Sequence, residues 1–198
     1  MKKSTGIILT IILTAVIYST FGSLEIPSSL YTTSILIAIT YGFLKKEINI
    51  THISSLFLII FIFEYLTIEL TVNILNASEI STVSSAAIHF GVQIATSILA
   101  VISLIFRVQI SRWISKSDRV ALTIFDGVTP WVYIYLTLIV VLTAIEYTID
   151  HNFGLLHLSF IYDYYEVLIY LGMASVIGIL LSMIICHEKD LKKQISDT

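Results

Sequence analysis

A chain of 198 residues with 57 % apolar and 13 % charged residues and a mean hydropathy of +0.93 does not have the composition of a soluble domain. Its formal charge of −3 gives no reason to invoke a nucleic-acid partner. The single cysteine, Cys186, excludes an intrachain disulfide and any cysteine-based metal cluster.

Apolar blocks separated by short polar joints are the hydropathy pattern of several membrane spans. The pattern predicts an all-α integral membrane bundle of six transmembrane helices plus one short interfacial amphipathic helix, a single domain over residues 1–198. The first span, about 6–22, follows Lys2 and Lys3; its apolar run exceeds a signal-peptide core and no clean cleavage site follows, which favours an uncleaved helix. The second, 27–44, has Pro27 in its first turn and Ser34, Ala38 and Gly42 on a small-residue face suited to close helix packing. The third, 53–75, is long enough to cross a bilayer yet carries Glu64 and Glu69. At about 100° per residue these two carboxylates serve different faces.

The fourth span, 84–106, carries Ser85, His89, Gln93, Thr96, Ala100 and Ser103 at steps of three and four, a polar or small stripe that should face protein. Residues 107–125 are different in kind. They set Arg112, Lys116 and Arg119 opposite Ile110, Trp113 and Ile114, the pattern of a helix lying on anionic lipid headgroups, with Arg112, Trp113, Lys116 and Arg119 as membrane-surface residues. Asp126-Gly127 makes a turn, and Thr129-Pro130 starts the fifth span, 130–149. The sixth, 165–186, repeats small residues at Ala174, Gly178 and Ser182, and the charged tail after it is expected to fray.

Alternating the six spans across the bilayer puts all eleven basic residues on one side. Lys and Arg bias marks the cytoplasmic face, so the expectation is a multi-pass inner-membrane protein with both termini cytoplasmic. Glu64, Glu69, Glu146 and Glu166 lie in or beside the spans, where no Lys or Arg can pair with them. At about 1.5 Å per residue, Glu69, His89 and Glu146 fall at similar depth near the outer surface, and Glu64 sits near the middle.

The resulting expectation is a proton- or cation-binding group of Glu69, His89, Glu146 and Glu64 in a small transporter-like unit. The bland alternative is protonated Glu and neutral His acting as interhelical hydrogen-bond glue. A rival class is an accessory, sensor or immunity-type protein that binds another membrane protein, or its own copy, through the two small-residue faces. A metalloenzyme using Asp150, His151, His157 and Asp163 matches no recognised ligand spacing, and no catalytic or cofactor-binding motif is present, so neither metal nor cofactor is expected.

Overall fold

The computed structural model describes residues 25–153 and 160–196. The expected first span at 6–22, with Lys2 and Lys3, and the loop residue His157 lie outside the described residues. Among those described, every regular element is helical: α1 (Glu25–Leu44), α2 (Ile48–Asn76), α3 (Thr82–Ile105), α4 (Arg107–Ser115), a 3-10 turn (Ile124–Gly127), α5 (Thr129–Phe153), α6 (Phe160–Asp163) and α7 (Tyr165–Ser196).

Local chemistry accounts for the boundaries. α1 ends because Lys46 turns left-handed (φ 57°), which lets the Glu47 amide donate to the Gly42 carbonyl at 2.8 Å and the Lys46 amide to Phe43 at 3.2 Å. This paired closure is the usual helix-terminating one, with lysine standing where glycine is commonest. Gly42 itself is required by the turn: a Cβ there would lie 2.7 Å from the Thr51 amide nitrogen and 3.2 Å from the Glu47 carbonyl. α3 begins at a Ser81 cap whose hydroxyl accepts the Ser84 amide at 3.3 Å.

Four stretches, Ile48–Asn76, Thr82–Ile105, Ile124–Asn152 and Tyr165–Gln194, are long and apolar enough to cross a membrane. α1 has the length, 20 residues, but Ser28, Ser29, Thr32, Thr33 and Ser34 dilute its first half and it is not one of them. The described residues thus hold four candidate spans where five were expected. Large apolar side chains cover the outside: Ile37, Ile59 and Leu70 are each more than half exposed. Such a surface would drive aggregation in water and is the ordinary condition of helices in lipid.

The five long helices close into a ring in which α1 packs on α2 and α7, α2 on α3, α3 on α5, and α5 on α7. The core runs through its middle, from Tyr31, Ile35 and Ala38 on α1 to Phe57 on α2, Tyr133 on α5 and Ala174 and Ile177 on α7. α7 is the most enclosed: 56 % of its apolar stretch is buried, against 22 % for α2 and for α3. Gly172 makes the α5–α7 approach close enough that any Cβ would strike the Leu136 side chain.

Two expectations change. The basic segment is not one helix over 107–125. α4 stops at Ser115, Lys116 is left-handed (φ 49°), and Arg112 Nε reaches back to the Val120 carbonyl at 3.1 Å, folding the loop onto the helix. Ser117 and Asp118 favour such local alternatives over continued helix. Arg119 therefore sits on a separate loop, although Trp113 (83 % exposed) and Ile114 do project outward from α4. Likewise the charged tail does not fray at Cys186, because α7 runs on to Ser196. Glu188 there accepts the Tyr41 hydroxyl at 2.7 Å and pairs with Lys45 at 3.2 Å, tying the tail to α1.

Candidate functional site

The ring forms a half-open cavity of about 170 Å³ to which all five long helices described contribute. Tyr31 comes from α1; Phe61, Glu64 and Ile68 from α2; Gln93, Thr96 and Ser97 from α3; Tyr133, Leu136 and Val140 from α5; Tyr165, Ile169, Met173 and Val176 from α7. Helical periodicity explains the α3 set, since Gln93, Thr96 and Ser97 are the i, i+3 and i+4 positions of one face. Four apolar neighbours in α2, Phe57, Ile60, Phe61 and Ile68, carry Glu64 inward on the same face.

Among the described residues the polar lining is one carboxylate, one amide, two small hydroxyls and three phenols, and no lining residue is basic. The Glu64 carboxylate is within electrostatic reach of the Tyr133 and Tyr165 hydroxyls. Gln93 and Tyr165 line the pocket together, and the buried Oε1 of Gln93 finds no hydrogen-bond donor among the described residues. Tyr31 and Tyr133 bring their hydroxyls 3.5 Å apart, and Phe57 stacks on Tyr133 at 6.1 Å between ring centres. Thr96 satisfies its own hydroxyl on the Gln93 carbonyl at 2.9 Å. Among the described residues no positive charge lines the pocket beside Glu64, and Gln93 Oε1 is left without a hydrogen bond. That matches a proton or a small cation bearing N–H or O–H groups, and aromatic faces add to the attraction for a cation.

The other three expected site residues lie elsewhere. Glu69 is exposed on α2, between exposed Tyr65 and Asn73, and lines neither the central cavity nor the crevice beside His89. His89 lines that crevice with Asn76, Ser85, Phe90, Tyr147 and Tyr162 at the end of the bundle where α2 passes to α3. Glu146 is on the far side of the Tyr147–Tyr162 pair, accepting the Tyr162 amide at 2.8 Å. The structure thus brings His89 and Glu146 to the same aromatic wall without contact between them, and leaves Glu69 apart. The α3 stripe does face protein: Ser85 and His89 line the crevice, and Gln93, Thr96 and Ser97, one to two turns further, line the cavity. Among the described residues no three His, Cys, Asp or Glu side chains converge as metal ligands would.

The small-residue faces are used up inside the chain. Ala38, Gly42, Ala174, Gly178 and Ser182 are buried and Ser34 half-buried, all on α1 and α7, which pack together. They are therefore not open faces for a partner.

Sequence reasoning missed Gln93 and the three tyrosines as cavity groups. For Gln93 the signal was present, one turn from His89 on the same stripe. For Tyr31, Tyr133 and Tyr165 it was not, because a chain with 11 tyrosines offers no local mark for the inward ones.

A second polar cluster secures the basic end. Arg107, 1 % exposed, holds Asp126 through two of its nitrogens and reaches the Asn49 side chain at 3.3 Å and the Ala121 carbonyl at 3.2 Å. Asp126 in turn accepts the Thr123 amide at 2.6 Å and hydroxyl at 2.8 Å, so the cluster is fully hydrogen-bonded. Beyond the apolar run of α7, the Tyr41 hydroxyl and then Lys45 hold the Glu188 carboxyl below the ordinary carboxylate range.

No known protein family, curated protein or solved structure matches this chain.

Proposed function

We propose that the protein is a small transporter-like membrane unit that binds a proton or small cation at Glu64 in the central cavity. One observation carries this: a half-buried carboxylate in a cavity lined by five helices, with an orphaned Gln93 oxygen and no basic residue in the lining among the described residues. Ionisable groups inside a bundle are costly and mark ion or proton paths. The polar stripe of α3, from Ser85 and His89 down to Gln93 and Thr96, supplies a route between the crevice and the cavity. With the basic end on the cytoplasmic side, the crevice opens outward, and the membrane is the cell's inner one.

The test is flux in proteoliposomes under an imposed pH gradient, comparing the parent protein with Glu64→Gln and Glu69→Gln. Proton or cation movement in the parent, lost in Glu64→Gln and kept in Glu69→Gln, is the expected result. Absence of flux in the parent, or an undisturbed Glu64→Gln, would sink the reading.

The alternative, an accessory or sensor protein acting on a membrane partner or a second copy, draws on one observation. Tyr65, Glu69 and Asn73 form an exposed polar strip on an otherwise apolar helix face, and lipid is a poor neighbour for it. Crosslinking from a cysteine at Asn73 that captures no protein in the native membrane would remove this alternative.

A further inference from the structure

At the opposite end of the bundle from the His89 crevice, the α1–α2 turn and the loop after α4 enclose a crevice of about 350 Å³. Lys46, Thr51, His52, Ser117 and Arg119 supply its polar wall, and Phe43 and Ile48 its apolar one. We propose that this crevice binds the phosphate of an anionic lipid headgroup, with the lipid's apolar part lying against Phe43.

The charge is built for an anion. Neither Lys46 nor Arg119 has a carboxylate partner among the described residues. The nearest chain carboxylate, that of Glu47, is engaged elsewhere, accepting Asn49 at 3.1 Å and lying 3.9 Å from His187, and Asp118 is exposed. His52 lines the same wall, with its Nδ1 buried and without a hydrogen-bond partner. Ser117 accepts the Arg119 amide at 3.3 Å and keeps its own proton for a ligand. Lys46 also holds the left-handed position at the end of α1, where glycine would cost less. Its side chain lines the crevice in return.

Depth selects a lipid over a soluble phosphate. Lys46 stands two residues before Ile48, where a candidate membrane span begins, at the level expected of a headgroup phosphate. Phe43 and Leu44 are 76 % and 72 % exposed just below it, and Trp113, Leu122 and Ile124, all at least 80 % exposed, mark the same end of the bundle as an interfacial belt.

The experiment is native mass spectrometry of the full chain in detergent with equal phosphatidylglycerol and phosphatidylcholine, read as the ratio of the two lipids retained. Three samples decide it: the parent, Lys46→Asn with Arg119→Gln, and Lys192→Gln with Lys193→Gln, which removes the same charge from the α7 tail. Asparagine is chosen because it tolerates a left-handed backbone. Should the double variant lose its cooperative thermal transition, Arg119→Gln alone replaces it, since that side chain is on an exposed loop. The expected result is a phosphatidylglycerol preference that falls roughly tenfold in the crevice variant and is unchanged in the tail variant. Equal loss in both variants, or no preference in the parent, overturns the site. Complete displacement of the lipid by inorganic phosphate at equal concentration overturns its assignment to a lipid.

Discussion

Arg107 is fully buried and Glu64 half-buried, and they differ in what surrounds them. Arg107 meets a full set of acceptors in Asp126, Asn49 and the Ala121 carbonyl, whereas Glu64 meets phenols and no cation. The first arrangement is structural. Arg107→Ala, which strands the Asp126 carboxylate, is expected to lower stability by about 3 kcal/mol, measured as a thermal unfolding shift in detergent. Arg107→Lys should recover little of that, because an ammonium cannot reproduce the two-pronged grip on Asp126. A lysine variant as stable as the parent would show that charge alone, not geometry, matters. Of the four carboxylates and histidines the sequence points to, only Glu64 lines the central cavity. Depth and rotation along a helix are readable from spacing, which is why Glu64 and Glu69 separate correctly onto different faces. Which of those faces turns inward is set by neighbours distant in the chain, and Glu69 beside Tyr65 and Asn73 carries no local mark that it points out.

Among the elements, helix identity was legible and helix ends were not. The third to sixth spans appear as α2, α3, α5 and α7, but α7 continues ten residues past the expected stop at Cys186 because Glu188 finds Tyr41 and Lys45 on α1. Conversely α4 ends early, at a left-handed Lys116 that periodicity does not reveal. Two glycines distinguish kinds of close approach. Gly172→Ala should destabilise by about 1–3 kcal/mol, and Leu136→Ala in the same chain should relieve most of it, because the obstruction is a side chain. Gly42→Ala should cost a similar amount, but Thr51→Ala should not restore it, since the Thr51 amide nitrogen and the Glu47 carbonyl are backbone. Thermal unfolding of the four single and double variants checks both; full rescue at Gly42 would contradict the turn geometry.

For the molecule as a whole, the strongest sequence pattern was the confinement of basic residues to one side, and among the described residues three of the basic segments meet at one end. Lys45 pairs with Glu188, and Asn49 bonds both Arg107 and the Ala121 amide. Cysteines placed at Lys116 and at Glu79 should therefore label from opposite sides of sealed vesicles, and labelling of both from one side would overturn the arrangement. The α1–α7 tie also gives the fold a pH response. Glu188 has a lowered carboxyl, so its contribution is fully present at neutral pH and is lost as the pH falls below the ordinary carboxylate value of 4.5 and through the lowered one. Glu188→Gln should flatten that acid-side decline in thermal stability; an identical decline in parent and variant would assign it to other groups. The burial of α7 has one more implication, for biogenesis. The helix that completes the ring is synthesised after α1, α2, α3 and α5, so these exist for a time with the Glu64 wall still open. The cavity comes into being only when α7 arrives with Tyr165, Ile169, Met173 and Val176, its wall of the lining.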